Sequence, residues 1–114
     1  MIYETKIQKG QDGWEAISEA VLGQTPQGTR ILKLRTSKAR GGLSAFASVV
    51  VRSKKNGYLC ETCVIFQDFT KANIAPIPCK RVTEKAVRAA HDSALTFMDE
   101  LIVEAQNFYQ KQAD

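Results

Sequence analysis

The chain has 114 residues, 44% hydrophobic and 25% charged, a composition that suits one globular domain and argues against disorder. No apolar run reaches the ~18–20 residues that cross a bilayer as a helix, so a membrane protein is not expected. The net charge of +4, from 16 basic and 12 acidic groups, is too small to name a partner by itself.

Ile2–Gln8 sets Tyr3, Thr5 and Ile7 in alternation and predicts a strand. Gly10-Gln11-Asp12-Gly13 is a turn cluster. Asp12 followed by Glu15 has the spacing of a capping box and predicts a short helix over 13–22. Trp14, Ile17 and Val21 then share a face, and Gly23 stops the helix; a strand over Trp14–Leu22 is the competing assignment for so short a run. After a loop over Gln24–Gly28 come strands Arg30–Thr36 and Leu43–Arg52, joined by a basic loop, Ser37–Gly42. Asn56-Gly57 favours a type I′ hairpin turn. That turn pairs Lys55 with Tyr58, and Arg52 with Glu61, along the next strand, Tyr58–Gln67. Asn73–Pro78 predicts an edge strand, because Pro76 and Pro78 cannot donate to a central ladder. Thr83 caps a final helix running to Gln110, with Val87, Ala90, Ala94, Met98, Leu101, Ala105 and Phe108 as its apolar stripe. The expected fold is one α+β domain over 1–114, in the order β-α-β-β-β-(β)-α. It is an antiparallel sheet of three to four strands, with a short N-terminal and a long C-terminal helix on one face.

The placement of charge is more informative than its sum. From Ala20 to Cys60 there is no Asp or Glu, while Arg30, Lys33, Arg35, Lys38, Arg40, Arg52, Lys54 and Lys55 give the stretch +8 and leave −4 for the rest. Pairing Thr36 with Leu43 across the basic loop puts Leu32, Leu34, Leu43, Ala45, Ala47, Val49, Val51, Tyr58, Cys60, Thr62, Val64 and Phe66 on one face. That face is apolar with small central alanines, and so is the expected core. The other face carries Ile31, Lys33, Arg35, Ser44, Phe46, Ser48, Val50, Arg52, Leu59, Glu61, Cys63, Ile65 and Gln67. Cations around an aromatic suit single-stranded nucleic acid, with bases stacked on Phe46 and phosphates held by Lys33, Arg35 and Arg52. Lys38, Arg40, Lys54 and Lys55 extend the track through the loops, and Arg30, at the start of its strand, is a further phosphate-binding candidate. Phe46 equally fits beneath a second layer or in a dimer interface, and Val50, Leu59 and Ile65 argue for some cover.

Cys60-Glu61-Thr62-Cys63, with Cys79 and His91, makes a formal Cys₃His set. Zinc needs the first pair on a tight turn, whereas residues three apart in a strand point to opposite faces, so no metal or cofactor is expected. His91 lies at the rim of the apolar stripe, and no serine elbow, paired-carboxylate pattern or phosphate-loop fingerprint accompanies it. A non-enzymatic protein follows. The N-terminal residues lack the basic-then-apolar order of a signal peptide, and three cysteines make a poor disulfide framework, so the expected location is cytoplasmic. A helix of that length would overhang a ten-residue strand and leave Phe97, Leu101, Ile102, Phe108 and Tyr109 uncovered, which predicts a homodimer.

Lys85-Ala86, Ala89-Ala90 and Ala94-Leu95, after Lys80-Arg81, resemble the second helix of double-stranded-RNA-binding domains. The Gly-Pro-His element and the lysine run of that family are not in this chain. The sheet-then-long-helix order is similar to single-stranded-DNA-binding folds of the Whirly and transcriptional-coactivator type. Both resemblances imply nucleic acid as the partner. The alternative is a protein-interaction module, an accessory or inhibitor protein docking its basic patch on an acidic protein.

Overall fold

The computed structural model describes residues 3–39, 42–66, 74–77 and 81–113. Strands β1 (Glu4–Gly10), β2 (Gly13–Thr25), β3 (Gly28–Ala39), β4 (Gly42–Lys55) and β5 (Tyr58–Phe66) form an antiparallel meander in chain order. β6 (Ile74–Ile77) pairs with β4 at Leu43 and Ala45, while β5 pairs with β4 from Ser48 to Lys55. Helices α1 (Glu84–Leu95) and α2 (Met98–Ala113) complete an α+β architecture. Neither is long and apolar enough to cross a membrane.

The helix expected over 13–22 is instead strand β2, so the meander has one strand more than the expected maximum. Ala16, Ser18 and Ala20 are buried on the inner face, alternating with Ile17, Glu19 and Val21 on the outer face. This is a period of two, and a strand buries it more completely than a helix would. The helical spacing of Ile17 and Val21 came from two apolar residues on the outer face. Asp12 lies in the tight β1–β2 turn, and Glu15 reaches across the sheet to Arg35.

Asn56 and Gly57 both have positive φ, 53° and 83°, as a type I′ turn requires. The expected pairs Lys55 with Tyr58 and Arg52 with Glu61 are present. The basic loop is shorter than expected: Ser37–Ala39 belong to β3, and Thr36 pairs with Ala45 instead of Leu43. The register moves by two positions, so each β3 and β4 side chain keeps its expected face. A bulge at Val49–Val50 aligns Val49 with Ile65 and Val50 with Cys63, ending the strict alternation expected to Phe66.

Leu32, Leu34, Leu43, Ala45, Ala47 and Val49 are buried on the expected core face. Tyr58, Cys60 and Thr62 share that face by register but are exposed. They lie at the β4–β5 hairpin end, beyond the main core. Two clusters fill the space under the helices. One joins Ala16 and Leu43 to Val87 and Ala90 of α1; the other joins Ala20, Leu32, Leu34, Ala45, Ala47 and Val49 to Ala94, Met98, Leu101, Ile102 and Ala105. The alanines keep the sheet surface low, so helix backbones approach closely.

Thr83 caps α1 as expected, its Oγ1 accepting from the Ala86 amide at 3.1 Å. The single long helix breaks at Thr96–Phe97. There the Phe97 amide bonds to the Ala94 carbonyl, a tightened i to i−3 link, and the Thr96 hydroxyl donates to the Ser93 carbonyl at 2.7 Å. The bend lets both halves follow a curled sheet whose strands run to 14 residues. Leu101 and Ile102 are fully buried, and Phe97, Phe108 and Tyr109 pack against the larger cluster. The apolar side chains whose exposure predicted a homodimer are therefore packed within the chain.

His91 is 1% exposed and ties α1 to two strands. Its Nε2 lies 2.7 Å from Ser18 Oγ, and its Nδ1 lies 2.8 Å from Thr36 Oγ1. Ser18 is in turn 2.6 Å from Thr5 Oγ1 on β1. Hydroxyls both donate and accept, so a neutral imidazole satisfies the chain in either tautomer. Burial pushes the His91 pKa below its ordinary value, against a smaller opposing pull from Asp92. The unfolded chain therefore takes up a proton first, and stability present above about pH 6.5 falls as pH drops below it. Urea unfolding of the native protein should show this loss between neutral pH and pH 5. The His91→Leu variant should lack that slope and be less stable at neutral pH by about 1–3 kcal/mol, since the Thr36 hydroxyl loses its imidazole partner.

Candidate functional site

The outer face of the sheet brings the expected phosphate-binding cations up against carboxylates. Glu19 lies opposite Lys33 in the β2–β3 ladder, and Arg52 lies opposite Glu61 in the β4–β5 ladder. Their side chains also reach diagonally. Lys33 Nζ is 3.1 Å from Glu61 and 3.9 Å from Glu19, while Arg52 bonds Glu61 at 3.2 Å and also Glu19. The crossing passes over the row of Ile31 and Val50, which are only 3% and 6% exposed. The aliphatic stems of Lys33 and Arg52 suit such cover. Arg35 Nη2 is 3.0 Å from Glu15, whose other carboxylate oxygen accepts from Gln8 Nε2 at 3.3 Å.

The electrostatics follow. The hydrogen bond and charge of Glu19, reinforced by Glu61, outweigh desolvation and raise the Arg52 pKa. Burial pushes the Glu61 carboxyl up, but hydrogen bonds and charge from Lys33 and Arg52 together outweigh this and hold it below the usual range. Across the described outer face, Lys6, Lys33, Arg35, Arg52 and, at the hairpin end, Lys54 share the surface with Glu4, Glu15, Glu19 and Glu61, so the charge away from that end is balanced. Phe46 is half-buried opposite Arg35.

The other expected site residues lie elsewhere. Lys38 is exposed near the β3–β4 end, and Arg40 falls outside the described residues. Lys54 and Lys55 are exposed at the opposite end, on the β4–β5 hairpin, beside Tyr58 and Leu59, which are 75% and 73% exposed. Arg30 is on the inner face at that same end, its guanidinium 3.6 Å from the centre of the Tyr109 ring. Among the described residues, Arg30, Lys38, Lys54 and Lys55 have no ion pair. The expected track is thus divided into a balanced middle and a cationic β4–β5 end, while Lys38 at the other end lines a recess with Asp12 and Glu15.

Beside Tyr109, the inner face opens into a cleft of about 610 Å³ lined by Thr25, Gln27, Arg30, Val51, Ser53, Lys55, Thr62 and Tyr109. Tyr109, Ser53 and Thr62 were not candidates from sequence. Serine and threonine at a strand end carry no signature, and Tyr109 meets Arg30 from a distant part of the chain, a contact no local spacing encodes. Glu19 was missed for a different reason: a helix over 13–22 would have kept it off the sheet.

Cys60 and Cys63 both lie in β5, and Cys79 is outside the described residues. Both ring nitrogens of His91 already face hydroxyls, and no cluster among the described residues has the makings of a metal site. No protein-family model, curated protein or solved structure matches the chain.

The balance on the outer face is testable. Changing Glu19→Gln and Glu61→Gln together removes both carboxylates that hold Lys33 and Arg52. The pairs are partly solvated, so stability should fall by only about 1 kcal/mol or less per pair. Affinity for a labelled single-stranded oligonucleotide, read by fluorescence anisotropy at low salt, should rise. Unchanged affinity in a folded double variant would show that these carboxylates do not mask the face.

Proposed function

We propose that the protein is a non-enzymatic binding protein for single-stranded nucleic acid, holding its ligand at the β4–β5 end of the sheet. The observation that carries this reading is that this end of the sheet holds Arg30, Lys54 and Lys55, cations without ion pairs among the described residues, together with the exposed Tyr58 opposite Lys55; Lys54 faces the outer side, and Arg30, Lys55 and Tyr58 the inner. Phosphates supply a sequence-independent attraction for such cations, and an exposed aromatic offers every base the same stacking surface. The open outer face is a weaker candidate, because a phosphate approaching Lys33 or Arg52 must compete with Glu19 and Glu61 already in place. Phe46 would then contribute only where a strand continues from the hairpin end onto that face.

The test is an anisotropy titration of labelled oligonucleotides at two salt concentrations. Lys54→Ala with Lys55→Ala should weaken binding irrespective of base sequence and reduce the salt slope by about 0.7 for each phosphate no longer neutralised. Tyr58→Ala should cost about 1–3 kcal/mol of binding free energy with little change in that slope. Changing Lys33, Arg35 and Arg52 together to Ala should have the smaller effect on the slope. Absence of binding to single strands, duplex DNA and RNA at about 50 mM salt would overturn the reading.

A further inference from the structure

We propose that the cleft beside the stacked pair Arg30 and Tyr109 is a binding site for one nucleoside monophosphate unit, free in solution or as part of a strand. The second source rests on the single-strand reading above; the first does not.

Three features of the cleft converge on this ligand. The first is charge. Arg30 and Lys55 line the cleft, and no carboxylate is among its described lining residues. Arg30 Nε is buried and has no hydrogen-bond partner. Stacking on Tyr109 engages the face of the guanidinium but leaves the in-plane Nε–H unsatisfied. A partly buried cation with an idle donor is costly, and an anionic oxygen bound there offsets the cost. The planar fork of a guanidinium suits a phosphate in particular, and Lys55 adds a second, mobile charge.

The second feature is the wall. Val51 and the stacked Arg30–Tyr109 pair border an apolar side against which a base can pack. The hydroxyls of Ser53 and Thr62 lie in the same lining, at positions that can bond a sugar or a base edge. The Thr25 hydroxyl is not available for this. It donates to the Gly28 carbonyl at 2.9 Å and accepts from the Gly28 amide at 3.1 Å.

The third feature is rigidity and size. At Gly28, φ is +150°, and a Cβ would collide with the Arg52 carbonyl, so β3 enters the sheet pressed against β4. The floor of the cleft is therefore sheet backbone held in register, as a preorganised site needs. Its volume of about 610 Å³ falls within the range of small-ligand sites.

The experiment is calorimetric titration of the full chain with AMP, GMP, CMP and UMP, with adenosine and with inorganic phosphate. The monophosphates should bind, and phosphate or adenosine alone should bind at least about tenfold more weakly, because each fills half the site. Arg30→Gln should weaken monophosphate binding at least about tenfold. Lys55→Gln, at an exposed position, should weaken it less and serves as the variant that leaves packing intact. Circular dichroism confirms that each variant is folded. An oligonucleotide that displaces the mononucleotide assigns the unit to a strand; one that binds without displacing it assigns the cleft to free nucleotides. Failure of all four monophosphates to bind, or unchanged affinity in both folded variants, overturns the site. Oligonucleotide binding in that case leaves the single-strand reading standing, so the two failures are distinguishable.

Discussion

Glu19 and Glu61 meet Lys33 and Arg52 over the buried pair Ile31 and Val50, and this junction governs how the molecule presents its charge. Each carboxylate stands next to one end of the acid-free stretch in the chain. Antiparallel pairing folds both back onto its middle, where Lys33 and Arg52 lie. Desolvation alone would raise the carboxyl pKa of Glu61, yet the two cations hold it ionised. The excess positive charge is thereby displaced to the β4–β5 end of the sheet. A phosphate arriving at the centre would have to displace a carboxylate, whereas Lys54 and Lys55 at the hairpin end are exposed and have no ion pair among the described residues.

The opposite face is built by the complementary rule. Ala16, Ala20, Ala45 and Ala47 leave shallow ground on which Val87, Ala90, Met98, Leu101 and Ile102 settle. One polar thread crosses this layer, from Thr5 through Ser18 and His91 to Thr36. All its members have partners, so it fixes where α1 sits without leaving an orphaned buried group. The bend at Thr96–Phe97 then carries α2 along the remaining core and sets Tyr109 over Arg30. The cleft lies on the inner face beside Tyr109.

Much of the sheet was legible from local chemistry. Asn56-Gly57 specified its turn because those residues tolerate positive φ, and the register from Lys55 to Arg52 followed from it. Alternation placed Leu32, Leu34, Ala45, Ala47 and Val49 on the core face even though the β3–β4 register was off by two positions, because an even shift preserves the face. β2 was harder to read. Ile17 and Val21 imitate a helical face, and only their neighbours across the sheet show why a strand wins. Glu19 was hidden with it, and so was half of the ion-pair junction.

By itself, the sequence determined the class of fold, the hairpin turn, the Thr83 cap, the core face and the segregation of charge along the chain, because all of these depend on residues near one another or on a simple period. The tertiary structure decided which carboxylate meets which cation, that His91 is enclosed by Ser18 and Thr36, and that Arg30 turns inward to Tyr109. Those contacts join positions far apart in the chain, and no local spacing encodes them. Charge written as a run along the chain becomes a surface only after strands pair, and pairing can cancel a run as readily as concentrate it.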